Sequence, residues 1–242
     1  GFMKLAQFNN TTCSEQDIYE QLPLDNKNIL ELGCGQADIT RLIAKSGVGR
    51  AITATEVDKI QHQKNCLIDD LPNVTFIVGG SEKIPVADVF FDIVFMFKSL
   101  HHVPIELMTD ALSEVERVLK PGGIAYISEP VFKGDFNEVL RLFHDEELVR
   151  AEAYNAIKQA IANDSFSLLE EVHFNSPMLF KNFQDFENKI IKVTHTQHAL
   201  SSQLQQKVED QFALNMGSDG AQFLMPIRVD VLQKKPKNWM GL

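Results

Sequence analysis

The sequence contains few cysteines, and their positions match no common cross-link or metal motif. Cys13, Cys34 and Cys66 are spread over 242 residues, and no CxxC pair occurs. An odd number of widely spaced cysteines favours neither a disulfide framework nor a zinc site. His195 and His198 are three residues apart but have no evident third ligand, so the sequence predicts no metal centre.

The sequence also lacks long apolar runs and an excess of positive charge. No run of about 18 apolar residues is present, and the first residues show no signal-peptide pattern, so a cytoplasmic protein is expected. Lysine and arginine number 23 against 33 aspartates and glutamates, which gives a net charge of −10. Such a surface repels a phosphate backbone and disfavours nucleic acid as a partner. The pattern does not distinguish a monomer from a homodimer.

Short apolar segments alternate with amphipathic segments along the chain. The predicted strands are residues 28–33, 51–56, 74–79, 91–97, 123–128, 166–174 and 223–233. Over the first five strands the alternation with helical patterns is strict. This pattern predicts an α/β, Rossmann-like fold in which helices cover both faces of a mostly parallel sheet.

Three segments add to this alternating pattern. Residues 1–25 contain a short amphipathic stretch, which we interpret as a helical lid ahead of a main domain at 26–242. Residues 133–163 and 175–216 have helical patterns and are predicted to form a helical cap. Long connections between strands are unusual unless they have a function. The alternative to a cap over a site is that these segments have a purely structural role or form a contact between subunits.

The segment ILELGCGQAD, residues 29–38, ends a predicted buried strand with a glycine turn. Open parallel sheets bind ligands at this end of their strands, and glycine lets a ligand approach the backbone closely. Gly33, Gly35 and Ala37 give the spacing G-x-G-x-A, which differs from the dinucleotide fingerprint. Asp38 is placed to cap the following helix, where an acid would repel a pyrophosphate. The expected ligand therefore carries no phosphate near that helix.

Further carboxylates indicate which ligand the turn binds. Glu31 precedes the glycines, and Glu56 ends the second predicted strand, where a carboxylate can accept hydrogen bonds from ribose hydroxyls. The loop at 79–85, GGSEKIP, has small residues that allow a flat ring to lie near the backbone. With Asp38, these acids fit a ligand that has a ribose, a ring and a positive charge. S-adenosylmethionine, with its sulfonium and ammonium groups, fits this description.

Four ordered segments resemble class I S-adenosylmethionine-dependent methyltransferases. They are ILELGCGQAD, TATEVD, GGSEKIPVADVFFDIVFMFKSLHHV and RVLKPGGIAYISEP, and they fall within residues 26–131. The resemblance implies the strand order 3-2-1-4-5-7-6 with an antiparallel seventh strand. It also implies that S-adenosylmethionine is the cofactor and S-adenosylhomocysteine the product.

The resemblance implies roles for the residues that match these motifs. The implied cofactor-binding residues are Glu31, Gly33, Cys34, Gly35, Ala37, Glu56, Val57, Gly80, Ser81, Glu82, Phe97 and Lys98. In this assignment the glycine turn lies along the methionine part, with Glu31 orienting its ammonium directly or through water. Glu56 binds the ribose, and the loop after the third strand borders the adenine. Gly80 stands where many relatives have aspartate, and Glu82 is expected to replace that contact.

Methyl transfer depends more on alignment than on side-chain chemistry. Alignment contributes roughly 7–11 kcal/mol in well-oriented reactions, and a general base adds about 10²–10⁴-fold. His101 and His102, after the fourth strand, are candidate bases because histidine titrates near neutral pH. Packing against the next helix is the alternative role. Glu129, at the end of the fifth strand, is a third catalytic candidate, or else orients the following turn.

The motif after the fourth strand also bears on the substrate. The segment FKSLHH has no N-P-P-Y pattern, which disfavours methylation of base amino groups. LHHV, LKPGG and SEP are similar to small-molecule O- and C-methyltransferases, including those of quinone biosynthesis. We therefore expect in-line methyl transfer to an O, N or C atom of a small molecule. Many phenylalanines after residue 130 either line a substrate chamber or form core.

Two other functions remain compatible with the sequence. One is an enzyme of this fold that modifies the cofactor itself or a tRNA-linked group. Its mark would be an arginine-lined pocket, and Arg41, Arg141, Arg150 and Arg228 show no clear cluster in the sequence. The other is a non-catalytic protein that binds S-adenosylmethionine, which would show intact motifs beside a closed cleft.

Overall fold

The structure, a computed structural model, describes residues 4–194 and 199–236, so His195 and His198 lie outside the described residues. These residues contain one eight-stranded sheet. Its strands are β1 Asn28–Leu32, β2 Ala51–Glu56, β3 Val74–Val78, β4 Phe91–Phe97, β5 Leu119–Pro130, β6 Phe166–Phe180, β7 Met216–Gly217 and β8 Gly220–Lys234. The strand order is β3-β2-β1-β4-β5-β8-β6, with β7 paired to β8.

This topology confirms the predicted fold class and strand order. The first five strands run parallel, and β8 runs antiparallel to both β5 and β6. The predicted seventh strand is β8, because the two-residue β7 was not expected. Strand β5 is longer than the predicted 123–128. The KPGG segment forms an irregularity within β5, because Leu119 pairs with Phe91 of β4 and the next pair is Ile124 with Ile93.

Helices cover both faces of the sheet. Their bounds are α1 Glu15–Tyr19, α2 Asp38–Ala44, α3 Lys59–Cys66, α4 Met108–Val118, α5 Asp135–Leu140, α6 Glu147–Ala162, α7 Phe183–Phe186 and α8 Ser202–Ala213. A π-helical turn at Glu187–Ile191 follows α7. Helix α4 buries Met108, Ala111, Leu112 and Val115, which share one face at helical spacing. None of the helices within the described residues combines the length and the apolar character needed to cross a membrane.

The N-terminal segment belongs to the core, contrary to its interpretation as a lid. Leu5, Ile18 and Tyr19 are buried with residues of β1, β2 and β4 on one face of the sheet. The backbone N–H of Asn175 in β6 donates to Thr11 at 2.8 Å, and that of Cys13 donates to Asn175 at 3.1 Å. The segment therefore covers part of the open edge of the sheet, and apolar burial holds it there.

The predicted cap is only partly a cap. Residues 175–180 continue β6, and α6 is a core helix. Its small residues Ala153 and Ala156, together with Ile157, pack with α4 residues on the other face of the sheet. Helices α5, α7 and α8 form a separate apolar cluster against the ends of β6 and β8. The phenylalanines after residue 130 that are buried in the core are Phe136, Phe166, Phe174, Phe180, Phe186, Phe212 and Phe223.

Candidate functional site

The glycine turn after β1 has a shape that only small residues allow. Gly33 has φ +72°, and a Cβ there would lie 2.9 Å from the Ser99 Cβ, so a side chain would clash. Gly35 has φ +56°, and no atom lies within 4 Å of a Cβ built there. Ala37 is also left-handed, at φ 69°, and α2 begins at the next residue. Asp38 is thus the first helical residue and not the predicted cap.

Glu56 is fixed in place by two backbone amides at the end of β2. One carboxylate oxygen accepts from the Gly35 N–H at 3.0 Å, and the other accepts from the Asp58 N–H at 2.9 Å. These bonds join the glycine turn to the loop after β2. A carboxylate has about four acceptor sites, so both oxygens keep capacity for ligand hydroxyls.

A cavity of about 880 Å³ opens along these loops, at the carboxyl ends of the strands. This volume is within the range of small-molecule sites, roughly 300–1,000 Å³. The predicted site residues on its wall are Gly33, Gly35, Glu56, Val57, Ser81, Glu82, Phe97, Lys98 and His102. The structure therefore brings most of the predicted cofactor residues to one cavity.

Four predicted cofactor residues, Glu31, Cys34, Ala37 and Gly80, are not on this wall. Glu31 is 2% exposed, and its Oε1 accepts from the Thr40 hydroxyl at 2.6 Å. Burial raises the pKa of Glu31 to about 7, against a smaller opposing effect of the Thr40 hydrogen bond. Burial, with Glu31 and Glu56 nearby, raises the pKa of the Cys34 thiol to about 12. The Glu31 carboxylate is buried beneath the turn, so of its two predicted forms of contact the direct one does not fit this geometry.

Glu31→Gln is expected to change the pH dependence of stability. The folded-state pKa near 7 exceeds the ordinary value of 4.5. As pH rises through this window, Glu31 must ionise in a buried position, and the free energy of unfolding of the parent protein falls. We expect the variant, relative to the parent protein, to gain about 2–3 kcal/mol in unfolding free energy from pH 5 to pH 8. Urea titrations of ligand-free protein at both pH values measure this, and parallel changes in the two proteins would contradict it.

Several wall residues were not predicted from the sequence. They are Gln36, Asp58, Gln61, Gly79, Ser99, Val103, Pro104, Asn188, Lys189 and Val193. Asp58 and Ser99 each follow a predicted site residue closely, and that proximity was an available signal. Asn188, Lys189 and Val193 come from the π-helical turn and the residues after it. No local motif marks them, because only the tertiary fold brings the turn to the cavity.

A second, smaller cavity of about 250 Å³ adjoins the first. Its apolar wall residues are Pro130, Phe136, Leu140, Met178, Ile190 and Met225. Its charged and polar wall residues include His144, Glu146 and Arg150. Lys98, His102 and Val193 line both cavities, so the two spaces meet at these side chains.

The three catalytic candidates have different surroundings. His101 and Glu129 are 5% and 1% exposed, whereas His102 is exposed on the walls of both cavities. The His101 Nδ1 lies 2.5 Å from Glu129, and its Nε2 lies 3.2 Å from Glu146. Burial lowers the pKa of His101, but its contacts with these carboxylates outweigh that effect and raise the pKa to about 9. A ring protonated at neutral pH does not fit the predicted role of general base.

The cavity wall fits the ligand expected from the sequence. Open space faces Gly35, and Glu56 keeps acceptor capacity beside it. At Gly80 a Cβ would lie 2.4 Å from a carboxylate oxygen of Glu82, so this acid occupies the space of the missing aspartate side chain. These carboxylates can accept hydrogen bonds from ribose hydroxyls and an adenine amino group, and they offer negative charge to a cationic ligand.

Comparison with known proteins agrees with this geometry. The family described as "Methyltransferase domain" matches residues 30–127. Residues 30–127 are thus similar to a methyltransferase domain. The match spans the glycine turn, Glu56, the loop after β4 and most of β5. The resemblance to class I enzymes is thereby confirmed, and S-adenosylmethionine is the methyl donor of that family.

Curated relatives carry the same assignment. An uncharacterized methyltransferase of Synechocystis is 30% identical over 45% of this chain and 52% of its own length. The Rickettsia prowazekii ubiquinone/menaquinone biosynthesis C-methyltransferase UbiE is 27% identical over 67% of this chain and 76% of its own. The chain spans about half the length of the first curated relatives it matches.

A solved structure extends the similarity beyond the methyltransferase domain. The YcgJ protein of Bacillus subtilis has a TM-score of 0.63 and 17% identity. The alignment covers 88% of this chain and 93% of that protein. At this identity the match concerns the fold, which it confirms for nearly the whole chain.

Proposed function

We propose that this protein transfers a methyl group from S-adenosylmethionine to a small molecule. The observation that carries the proposal is the meeting of two cavities at Lys98, His102 and Val193: the larger one carries the Glu56 carboxylate, and the smaller one has an apolar wall. A methyl donor in one space and an acceptor in the other would face each other at this junction. The match of residues 30–127 to a methyltransferase domain supports the same reaction.

The first cavity would hold the cofactor through residues on its wall. Glu56 accepts from the ribose hydroxyls, Ser81 and Glu82 border the adenine, and the turn at Gly33 and Gly35 leaves its backbone accessible. When bound, S-adenosylmethionine supplies a methyl group on a positively charged sulfur. Glu56 and Asp58 offer negative charge on this wall. Glu31 acts from beneath the turn by holding Thr40.

The second cavity would hold the acceptor. Its apolar walls, with Phe136 and Leu140, suit a hydrophobic ring or chain, and His102 and Lys98 suit a polar group at the reacting end. In-line displacement requires the accepting atom to be held at the junction, which can contribute roughly 7–11 kcal/mol. The name of the Rickettsia relative makes carbon the first acceptor to test, ahead of oxygen and nitrogen.

The structure favours this function over the two alternatives. The four arginines named above do not gather in one pocket, since Arg41 pairs with Asp70 and Arg228 pairs with Asp230. Arg150 reaches the apolar cavity, but its Nη2 is paired with Glu146 at 2.9 Å. The presence of an acceptor-sized space beside the cofactor cavity also argues against a purely non-catalytic binder.

Surface charge and thiol chemistry support the proposed location and partners. The three cysteines are free thiols, which supports a reducing cytoplasm as the proposed compartment. The net charge of −10 supports a small-molecule substrate over a nucleic acid.

A labelling screen tests the proposal. Purified protein, S-adenosylmethionine with a labelled methyl group and fractions of a cell extract are incubated, and products are identified by mass spectrometry. Label in a small-molecule fraction supports the proposal, and label in RNA supports the tRNA-linked alternative. Calorimetric binding of the cofactor without turnover in any fraction would leave the non-catalytic alternative.

Met178→Ala is expected to weaken use of the acceptor without affecting the cofactor. Met178 lines the apolar cavity from β6, and losing such contacts costs about 1–3 kcal/mol. We expect kcat/KM for the labelled fraction to fall roughly 10-fold, with an unchanged Kd for S-adenosylmethionine. Leu179→Ala is the matched control, because Leu179 is the next residue of β6, is 54% exposed and does not line that cavity. Equal losses in the two variants would contradict the assignment.

A further inference from the structure

A cluster of imidazole and carboxylate groups lies at the junction of the two cavities, and methyl transfer does not require so many of these groups. His101, His102 and Glu146 each offer one possible ligand atom, and these atoms lie within 4.8 Å of one another. His101 and His102 follow β4, and Glu146 directly precedes α6. The fold therefore brings together donors that are far apart in the chain.

The distance between Glu146 and His101 matches that between two donor atoms on one ion. The Glu146 Oε2 lies 3.2 Å from the His101 Nε2 and 3.1 Å from the His144 Nε2. Arg150 engages the other oxygen, Oε1, at 2.9 Å and leaves Oε2 to the imidazoles. With metal–ligand bonds of about 2.0–2.1 Å, tetrahedral geometry places neighbouring donors about 3.3 Å apart.

Glu129 orients His101 in the manner of an outer-shell carboxylate. One oxygen of Glu129 lies 2.5 Å from the His101 Nδ1, and the other accepts from the His101 backbone N–H at 3.1 Å. Metal-binding histidines commonly donate their second ring N–H to a carboxylate, which directs the other nitrogen at the ion. This contact directs Nε2 toward Glu146.

We propose that His101, His102 and Glu146 bind a divalent first-row transition ion, with His144 beside Glu146 as a further donor. Two imidazoles and a carboxylate suit Zn²⁺, and His102 gives the site access from both cavities. The site concerns ion binding and stands whether or not the chain transfers methyl groups. The sequence predicted no metal site because local spacing cannot show donor atoms that only the fold brings together.

The alternative to a bound ion is a protonated His101 ring, whose two N–H groups donate to Glu129 and Glu146. Calorimetric titration with ZnCl₂ distinguishes the two, on protein without a histidine tag and carrying Cys66→Ser. That change removes the exposed His62–Cys66 pair, whose side chains lie 3.3 Å apart and could bind zinc separately. We expect saturable binding of one ion per chain.

Variants then locate the ion. His102→Ala and Glu146→Gln should each weaken zinc binding by more than about tenfold, and Glu129→Gln by roughly 10–100-fold. His173→Ala, an exposed histidine on β6, is the matched control and should leave the affinity unchanged. Absence of saturable binding, or equal affinity in His102→Ala and the parent, would overturn the proposal.

A second measurement protects the test against misfolding. His102 is exposed, so its replacement by alanine should preserve the fold, and the visible absorption of bound Co²⁺ should change in this variant. An identical Co²⁺ spectrum would count against the site. S-adenosylmethionine binding is measured on the same samples. Loss of zinc binding in His102→Ala with intact cofactor binding supports the site. A parent protein that binds the cofactor but no zinc would overturn the metal site and leave the proposed function standing.

Discussion

Replacement of Glu56 by alanine is expected to weaken S-adenosylmethionine binding roughly 10- to 150-fold, which corresponds to about 1.5–3 kcal/mol. The variant removes the acceptor proposed for the ribose hydroxyls. It also leaves the Gly35 and Asp58 amides without their carboxylate partner. Isothermal titration calorimetry gives the Kd directly, and Glu56→Gln, which keeps one acceptor oxygen, should lose less.

Controls separate binding from folding in this experiment. Glu209→Ala, an exposed glutamate on α8, should bind the cofactor like the parent protein. Thermal unfolding of each variant shows whether the loop structure has been damaged. A Kd that stays constant in Glu56→Ala, with an unchanged melting temperature, would remove the ribose role from Glu56.

Replacement of Phe95 by alanine should give the largest loss of stability. Phe95 is fully buried on β4, and its ring lies 4.8 Å from Phe97 and 5.3 Å from Tyr126, measured between centroids. Truncating such a side chain costs about 3–5 kcal/mol, because the apolar contacts are lost and a cavity remains. Guanidinium titration measures the free energy of unfolding.

Phe90→Ala is the matched control for this substitution. Phe90 precedes β4, is 48% exposed and contacts Phe91 edge-on at 5.0 Å. Surface truncations usually change stability by less than about 0.5 kcal/mol, and this ring contact adds somewhat more. A Phe95→Ala loss no greater than that of Phe90→Ala would contradict the assignment of this core.

Sequence patterns predicted the central part of the molecule well because local rules govern it. β-Branched strands, the helical spacing of α4 and the G-x-G-x-A turn each depend on neighbouring residues. Glu56 was found because the end of β2 always meets the glycine turn in this topology. The resemblance supplied the strand order, which no local pattern contains.

Other features depend on distant contacts and were beyond local rules. Lys98 adopts φ +53°, and its N–H donates to the Ser128 carbonyl at 2.8 Å, so β5 fixes its position. His101 was predicted as a base, but Glu129 and Glu146 are brought to it by β5 and α6. The amphipathic pattern of α6 could not show whether it covers a ligand or, as observed, packs on α4.

The pairing of the N-terminal segment with β6 has a consequence for solubility. An unprotected outer strand presents free amide and carbonyl groups to other chains, and such strands promote stacking between molecules. Residues 9–13 act as a molecular cover for part of this strand, through bonds that include the one from the Asn10 N–H to the His173 carbonyl. Deleting these residues would expose the backbone of this edge strand and favour aggregation between molecules.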